Sequence, residues 1–334
     1  MVDGARPGLD ELLEVAWVLR LPLRMSFRGV TVREAMVLRG PNGWAEFAPF
    51  MEYGDHEAAT WLAAAIEAGW GAVPPGVRDQ VPVNATVPAI SADQVPALLD
   101  RFAGCRTAKV KVAQAGQSLR EDIARVSAVR EALGSDAALR VDANAAWDID
   151  QALDAITALS AYNLEYAEQP VSTVADLARL RVRLVRAGVD VPIAADESIR
   201  RAQDPIDVAR AEAADLIVVK VAPLGGVDRA LSIVNDCGLP AVVSSALDTS
   251  VGISAGVSLA CALPTLPYAC GLGTVALLER DLSPLPLVPV SGLLSRQQAQ
   301  ASMDSIDEPA AELLADIERR TWWQERLRRC FSLL

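Results

Sequence analysis

The stretch TAKVKVA (residues 107–113) decides the fold, because it combines a strand pattern with two lysines on one face. Lys109 and Lys111 alternate with two valines, which predicts a β-strand whose lysine side chains point to the same side. The small and apolar neighbours indicate a sheet that is buried on both sides. Burying two ammonium groups is costly unless opposite charges accompany them. The sequence therefore predicts that acidic groups face Lys109 and Lys111.

Working outward from this strand, β-rich runs alternate with amphipathic segments of helical length from about residue 81 onward. In those segments, apolar residues recur at three- and four-residue spacing. Eight strand signals separated by helices predict an α/β fold, a (β/α)8 barrel. A doubly wound open sheet is the alternative, but no G-x-G-x-x-G follows the first strand, and eight units close naturally into a barrel.

The chain divides into three predicted parts. Residues 1–80 read as an N-terminal α+β capping domain, with two or three antiparallel strands, a turn at residues 40–43 and a following helix. Residues 81–279 form the predicted barrel. Residues 280–334 form a C-terminal segment that we expect to pack back on the barrel or the cap, with Trp322 and Trp323 as core or interface anchors.

Composition excludes several classes of function. The 334 residues carry a formal net charge of −12, which argues against nucleic acid and anionic membrane surfaces as partners. The five scattered cysteines, with no C-x-x-C, indicate reduced core thiols in a cytoplasmic protein. Neither a secretory signal nor a membrane-spanning run is expected. The sequence has one histidine, His56, which we expect to be exposed at a helix start. This disfavours Ser–His–Asp triads, Cys–His dyads and histidine-rich zinc sites. Lysines and carboxylates should therefore supply any acid–base chemistry.

Charged residues fall at corresponding positions of five successive strands, each about one β/α repeat from the next. Barrel enzymes keep their functional residues at the carboxyl ends of the strands. Three carboxylates converging there raise one another's pKa unless a cation is present, and Mg²⁺ best fits such oxygen ligands. The predicted metal ligands are Asp142, Glu168 and Asp196, flanked by Lys109, Lys111 and Lys220.

Each of these positions has a structural alternative when taken alone. A single Asp at a strand end is commonly a helix N-cap, and Lys220 could be a snorkelling surface lysine. Glu165 is interpreted as structural because it is out of phase with Glu168. Glu197 should point away from Asp196 if that strand continues. The combination of positions, rather than any single residue, predicts the site.

The ordered motifs KVK, DAN, EYAEQP, ADES and VVKVAPLGG resemble the enolase superfamily, in its muconate-lactonizing-enzyme subgroup. Longer segments, among them GWAEFAPFMEY, RTAKVKVA, SSALDTSVGI and ACGLGT, resemble the o-succinylbenzoate synthase family of menaquinone biosynthesis. The resemblance covers essentially the whole chain. It implies a barrel with a capping domain and a hydro-lyase that uses Mg²⁺, with Mn²⁺ as a possible substitute, on a small-molecule carboxylate.

The resemblance also implies roles for the lysines. Lys111 matches a general base that removes the proton α to the carboxylate of 2-succinyl-6-hydroxy-2,4-cyclohexadiene-1-carboxylate. Lys109 matches the neighbour that contacts this carboxylate and lowers the pKa of Lys111 by like charge. Lys220 matches a cation on the opposite face. The implied reaction is a syn elimination of water through a metal-stabilised ene-diolate.

Residues expected to contact the substrate are fewer and less specific. Asn144 follows the metal ligand of the DAN motif, and Arg28 lies with Phe27 in a cap loop that could close over the site. The remaining expected contacts, at the last two strands, are Ser245, Gly271 and Gly273. The family commonly has glycine after DAN, whereas Ala145 stands here, which restricts the backbone beside Asn144.

Two other functions stay open from the sequence. Lysines on both faces of an α-carbon could perform 1,1-proton transfer, as in N-succinylamino acid racemases and dipeptide epimerases. A barrel retained as a non-catalytic binding module is the second alternative, which the intact set of charged positions disfavours. The sequence does not distinguish a monomer from a homo-oligomer.

Overall fold

The computed structural model of the protein describes residues 6–201 and 206–334. The strands are β1 Ala16–Phe27, β2 Val30–Gly40, β3 Gly43–Phe47, β4 Gln80–Pro82, β5 Ala85–Val87, β6 Thr107–Lys111, β7 Ala138–Asp142, β8 Leu164–Glu168, β9 Ile193–Ala195, β10 Leu216–Val219, β11 Ala241–Val243 and β12 Leu293–Ser295. The helices are α1 Leu9–Glu14, α2 Asp55–Trp70, α3 Val95–Leu99, α4 Leu119–Leu133, α5 Ile149–Leu159, α6 Val174–Arg186, α7 Glu197–Arg201, α8 Ile206–Arg210, α9 Val221–Leu224, α10 Val227–Cys237, α11 Ser250–Ala262, α12 Arg296–Asp304 and α13 Ile317–Phe331.

The N-terminal cap is an antiparallel sheet in the order β1-β2-β3, followed by α2. The β1–β2 turn consists of Arg28 and Gly29, both with positive φ, as a tight turn between long strands requires. The predicted turn at residues 40–43 joins β2 to β3. His56 is exposed in the first turn of α2, as expected.

In the described part of the chain, seven parallel strands form a sheet in the order β11-β10-β9-β8-β7-β6-β5. Cys270 and Gly271 lie between the two edges of this sheet: Cys270 forms a parallel bridge with Val83, just before β5, and Gly271 forms one with Ser244, just after β11. These two residues stand where the eighth strand was predicted and close the sheet, because each edge gains backbone hydrogen bonds. The predicted (β/α)8 fold with a capping domain is confirmed.

The C-terminal segment contacts both other parts. Strand β12 pairs with β4, α12 packs on α11, and α13 packs on α2 and β1. Trp323 of α13 is fully buried, and its indole N–H donates a hydrogen bond of 2.9 Å to Glu34. Such anchoring by a buried tryptophan with a satisfied N–H stabilises the cap. The exact domain boundaries at residues 80 and 280 stay a prediction.

Burial of the cysteines agrees with the interpretation of core thiols. All five are buried and carry free thiols. Desolvation raises the pKa of Cys270 to about 12, so this thiol stays protonated and unreactive.

Among residues 6–201 and 206–334, no helix is both long enough and apolar enough to cross a membrane.

An acidic pair lies where the cap meets the barrel. Glu46 of β3 is buried and Asp248, in the connection between β11 and α11, is partly buried, with the Arg33 guanidinium beside them. Burial, together with the neighbouring Asp248, raises the pKa of Glu46 to about 8. The folded state therefore favours the protonated form of Glu46 at neutral pH, whereas the unfolded chain favours the ionised form.

This raised pKa predicts a pH-dependent stability difference. Because the folded state binds the proton more tightly, Glu46 favours folding most at pH values below about 4.5, and that contribution is lost as pH rises towards 8. In Glu46→Gln the amide cannot titrate. We expect the Tm of wild type to fall relative to the Gln variant by on the order of 5 °C between pH 5 and pH 8.

Thermal unfolding scans across that pH range would measure this difference. The other charged or titratable groups near Glu46 are Arg33, Asp248, Glu52 and Tyr53, and Lys220 acts on Asp248. All of them are present in both proteins, so the comparison reports the loss of the Glu46 carboxyl together with its interaction with Asp248. Parallel Tm curves for wild type and variant would contradict the prediction.

Candidate active site

The strands of the barrel place the predicted charged residues at one end. Lys111, Asp142 and Glu168 are the last residues of β6, β7 and β8 and are directly paired in register. Asp196 follows the last residue of β9, and Lys220 follows the last residue of β10. All five charges therefore lie at the carboxyl ends of neighbouring strands, as the repeat spacing predicts.

The structure shows which acidic groups face the two lysines of the KVK motif. The Lys109 Nζ lies 2.9 and 3.0 Å from the two carboxylate oxygens of Glu168 and 3.4 Å from Asp142 Oδ2. The Lys111 Nζ lies 2.5 Å from Asp142 Oδ2 and 2.8 Å from Asn144 Oδ1. Lys220 donates to Asp196.

These ion pairs are almost completely removed from water. Asp142 and Glu168 are each 1% exposed and Asp196 is 2% exposed, while Lys109 and Lys111 are 6% and 8% exposed. Ammonium and carboxylate groups at such depth tolerate burial only as partners. The predicted acidic neighbours of the KVK lysines are therefore present.

Burial and mutual interaction move the pKa values of this cluster in different directions. Desolvation, reinforced by Asp142, raises the pKa of Glu168 to about 7. Desolvation alone would raise the pKa of Asp142, but the adjacent Lys111 and Lys109 lower it well below its usual range. Glu168 and Asp142 outweigh desolvation and raise the pKa of Lys109.

The pKa of Lys111 is lowered, as the sequence predicts, but the order of causes differs. Burial is the largest cause, and the like charge of Lys109 adds to it, while Asp142 opposes both. The sequence interpretation named Lys109 alone, because desolvation depends on how the cap covers the barrel, which a strand pattern does not reveal.

Three carboxylates on adjacent strands form a donor set that suits a hard divalent cation. Asp142 and Asp196 both act to raise the pKa of Glu168, which places the three negative charges within range of one another. Within residues 6–201 and 206–334, no three acidic, histidine or cysteine side chains are already spaced as a finished metal site. The ammonium groups of Lys109 and Lys220 pair with Glu168 and Asp196 instead. The residue types fit Mg²⁺.

Glu197 corrects one expectation from the sequence. The premise that the strand continues past Asp196 is wrong, because β9 ends at Ala195 and α7 begins at Glu197. Glu197 is consequently 4% exposed and accepts a hydrogen bond of 3.3 Å from the Asn144 amide. It thus supports the residue that contacts Lys111.

Glu165 has the structural role expected of it. Its carboxylate pairs at 2.5 Å with Arg140, whose side chain is fully buried inside the barrel. The ring of Tyr166 lies 4.7 Å from the Arg140 guanidinium. This cation–π pair lies two residues below Asp142 and Glu168 on the same strands and fills the barrel beneath the candidate site.

A small cavity of about 40 Å³ opens above the lysines. Of the residues predicted to contact substrate, Arg28, Asn144, Ser245 and Gly271 line it. Lys109, Lys111 and Lys220 line it as well. Its remaining wall residues come from the cap (Phe27, Phe50, Tyr53 and Trp61), from β5 (Thr86), from α9 (Pro223) and from the segments that follow the last two strand positions (Ser244, Ala246, Leu247 and Thr274).

Gly273 does not belong to this cavity wall. A Cβ added there would lie 3.1 Å from the Phe102 ring and 3.2 Å from the Asn84 carbonyl, so the residue packs against the barrel wall instead. Ser245 does face the cavity, and its hydroxyl donates to the Gly271 carbonyl at 2.7 Å. Of the two predicted glycines, Gly271 alone contributes to the pocket surface.

Sequence reasoning missed the aromatic wall. Phe50, Tyr53 and Trp61 pack against one another, with Phe50 and Trp61 ring centroids 6.3 Å apart. Phe50 and Tyr53 lie in the segment that joins β3 to α2 and Trp61 lies in α2 itself, within the aromatic-rich stretch FMEYGDHEAATW. That local enrichment, just after a cap strand, was the available signal, but it does not separate a pocket wall from an ordinary core.

Ala145 occupies the position where the related family commonly has glycine. Its φ is 63° and that of Asn144 is 46°, both in the left-handed region. The turn is nevertheless formed, because the Ala145 N–H donates to the Gln169 carbonyl at 2.7 Å. Asn144 therefore keeps its contact with Lys111 at a cost of backbone strain.

We expect Ala145→Gly to stabilise the protein. Relief of left-handed strain outweighs the greater chain entropy of glycine by about 0.5–1 kcal/mol, so Tm should rise by about 1–3 °C. Ala146→Gly is the matched control, because Ala146 is not among the residues with positive φ and should lose stability. Thermal unfolding of both variants measures the effect, and equal shifts in one direction would refute it.

Comparisons with known proteins agree with this architecture. Family models described as "Enolase N-terminal domain-like" and "Enolase C-terminal domain-like" match residues 18–69 and 92–300. The solved L-Ala-D/L-Glu epimerase from Bacillus subtilis superposes with a TM-score of 0.71 at 23% identity, covering 84% of this chain and 94% of that one. Muconate lactonizing enzyme from Pseudomonas fluorescens gives 0.71 at 22% identity, covering 92% and 97%. The fold is thus that of the enolase superfamily.

Relatives of known name are far more similar in sequence. The o-succinylbenzoate synthase of Mycolicibacterium smegmatis is 53% identical over all of both chains. Those of Mycobacterium tuberculosis and Mycobacterium leprae are 52% and 51% identical, over 98% of this chain and 97% and 95% of theirs. The chain belongs to the o-succinylbenzoate synthase family, as the motifs predict.

Proposed function

We propose that this chain is an o-succinylbenzoate synthase that dehydrates 2-succinyl-6-hydroxy-2,4-cyclohexadiene-1-carboxylate to 2-succinylbenzoate, a hydro-lyase step of menaquinone biosynthesis. The observation that carries the proposal is identity of 51–53% along the whole chain to synthases of that name. The site supports it, because buried lysines face a cavity at the carboxyl end of a barrel.

Lys111 is proposed as the acid–base residue. Its amine takes the proton from the carbon α to the substrate carboxylate and then gives it to the hydroxide that leaves from the same face, so that water and an aromatic ring result. Lys111 reaches the cavity from β6 and Asn144 holds its Nζ at 2.8 Å. A single residue on one face thus accounts for both proton transfers of a syn elimination.

Lys109 and Lys220 are proposed to bind charge rather than to move protons. Lys109 lies beside Lys111 and is held by Glu168, so its ammonium can face the substrate carboxylate. Lys220 enters the cavity from β10, across from β6, and places a positive charge over the opposite face of the ring. Both groups stabilise negative charge that develops during proton removal.

Asp142, Glu168 and Asp196 are proposed to hold Mg²⁺, for which Mn²⁺ can substitute. When bound, the ion would stabilise negative charge on the substrate carboxylate as a Lewis acid. The protein contributes three buried carboxylates at the ends of β7, β8 and β9, and the hydrogen bond from the Asn144 backbone N–H to Asp142 Oδ1, 3.0 Å long, orients one of them.

The alternative activity uses the same residues. Lys111 and Lys220 line one cavity from different strands, which is the arrangement that 1,1-proton transfer on N-succinylamino acids or dipeptides requires. The synthase is favoured because the relatives of known name at more than half identity are synthases. Substrate is the one partner proposed, with neither nucleic acid nor membrane involved, and the acidic composition and free thiols favour the cytoplasm.

The experiment that tests the function follows loss of the cyclohexadiene substrate by absorbance, with purified protein and with or without Mg²⁺. Racemisation of N-succinylamino acids and exchange of solvent deuterium at Cα are measured on the same preparation. Rapid metal-dependent dehydration is the expected result. Slow dehydration beside efficient racemisation would instead establish the alternative activity.

A further inference from the structure

One wall of the candidate site is a loop that the cap, rather than the barrel, holds in place. Residues 244–249 connect β11 to α11, and the first four of them line the cavity. Leu247 has a φ of 61°, a conformation that a branched residue adopts only when its surroundings impose it. Its carbonyl accepts a hydrogen bond of 3.2 Å from the Arg33 guanidinium of cap strand β2.

Glu46 of cap strand β3 fixes the other end of this loop. One carboxylate oxygen, Oε2, accepts hydrogen bonds from the backbone N–H groups of Thr249 and Gly252, at 3.1 and 3.2 Å, and from the Thr249 hydroxyl at 2.5 Å. Gly252 belongs to the first turn of α11, whose N–H groups the helix itself leaves unsatisfied, and Thr249 is the N-cap residue, whose hydroxyl accepts from the Val251 N–H. A residue 203 positions away in sequence thus supports the start of the helix.

The loop has little room to adopt another path. Asp248 accepts a hydrogen bond of 3.1 Å from the Ala246 backbone N–H. A Cβ added to Gly252 would lie 2.7 Å from the Asp248 Cβ and 3.2 Å from the Glu46 carboxylate carbon. Glycine at position 252 therefore permits Glu46 and Asp248 to approach the helix start together.

The cap makes a second contact of the same kind that does not touch the site wall. Glu67 of α2 accepts hydrogen bonds from the backbone N–H groups of Val227 and Asp228, at 2.5 and 2.9 Å, and so caps α10. Neither Val227 nor Asp228 lines the site cavity. Glu67 and Glu46 thus both accept hydrogen bonds from backbone N–H groups at the start of a barrel helix. They differ in that only the segment bonded to Glu46 lines the pocket.

We propose that Glu46 is a positioning residue, which holds the wall formed by residues 244–249 in the shape that binds substrate. The proposal rests on the proposed function for the identity of that substrate. Glu46 reaches no residue of the lysine and carboxylate cluster by a hydrogen bond in the described chain. Its removal should therefore weaken substrate binding more than it slows the chemical step.

The test compares Glu46→Ala, Glu46→Gln and Glu67→Ala. We expect Glu46→Ala to raise KM for the cyclohexadiene substrate about 10-fold and to change kcat less than about 3-fold. All of these hydrogen bonds end on one oxygen of Glu46, and Gln keeps an oxygen acceptor, so Glu46→Gln should restore KM to within about 2-fold of wild type. Glu67→Ala should lower Tm and leave KM unchanged.

Amide hydrogen exchange, followed by mass spectrometry without substrate, gives a second reading. Peptides covering residues 244–252 should exchange faster in Glu46→Ala only, and peptides covering residues 226–230 should exchange faster in Glu67→Ala only. Equal KM values in the two Ala variants, or an unchanged wall peptide in Glu46→Ala, would overturn the proposal. If wild type fails to turn over the substrate, the proposed function falls, while exchange still tests the positioning role.

Discussion

Lys111→Ala is expected to lower kcat for dehydration by at least about 10³-fold. General acid–base catalysis contributes about 10²–10⁴-fold, and Lys111 is proposed to perform both proton transfers, so its loss falls towards the upper part of that range. Stopped-flow or steady-state absorbance of the cyclohexadiene substrate with saturating Mg²⁺ measures the effect.

A lysine with only a structural role would lower the Tm or the Mg²⁺ affinity when truncated, rather than turnover alone. Lys111 pairs with Asp142, so its truncation also leaves a buried carboxylate with one partner fewer. Lys109 still lies 3.4 Å from the same Asp142 oxygen, which limits the loss of stability. We therefore expect the Tm and Mg²⁺ affinity of Lys111→Ala to stay near wild type, and residual turnover above about one tenth of wild type would refute the assignment.

Lys220→Arg separates the synthase from the racemase. In a syn elimination by Lys111 alone, Lys220 supplies positive charge, so an Arg at this position should retain part of the activity. In 1,1-proton transfer Lys220 would have to accept or donate a proton, which an arginine cannot do at neutral pH. Dehydration that survives Lys220→Arg better than racemisation does is the expected pattern.

Strand periodicity made most of the site predictable. Lys111, Asp142 and Glu168 are paired in register on consecutive strands, so a sequence spacing of about one β/α repeat translates directly into proximity. The same argument places Asp196 and Lys220, although the strands are staggered and these two lie beyond the last ladder residues of β9 and β10. Charged residues that recur once per β/α repeat therefore predict side chains that meet at one end of the barrel.

The cap's contribution was less accessible to sequence reasoning. Tyr53, just before α2, and Trp61 of α2 line the cavity, and α2 packs on α9, a contact between elements that are more than 150 residues apart. Glu46 likewise reads as an outward polar residue of an antiparallel strand until the barrel is placed against it. Neither periodicity nor a local motif encodes how two domains dock, and the short strand β9, which ends before Asp196, misled the interpretation of Glu197.

Asp196→Asn is expected to abolish tight Mg²⁺ binding and to reduce turnover by about 10³-fold or more. A hard divalent ion prefers charged oxygen ligands, and an amide keeps the shape of the side chain while removing the charge. Asp196 also pairs with Lys220, so the substitution leaves a lysine that is mostly buried beside a neutral group. Isothermal titration with Mg²⁺ alone measures the binding without any assumption about substrate.

Asp150→Asn is the matched control for that measurement, because Asp150 pairs with Arg183 on the outside of the barrel and its side chain is 83% exposed. Its loss should leave Mg²⁺ affinity and turnover within about 2-fold of wild type. Chelation with EDTA should reproduce the Asp196→Asn defect in wild type, and added Mg²⁺ should restore wild type but not the variant. Because a carboxylate needed only to pair with Lys220 would leave Mg²⁺ affinity intact, unchanged titration curves for Asp196→Asn would exclude this residue as a ligand.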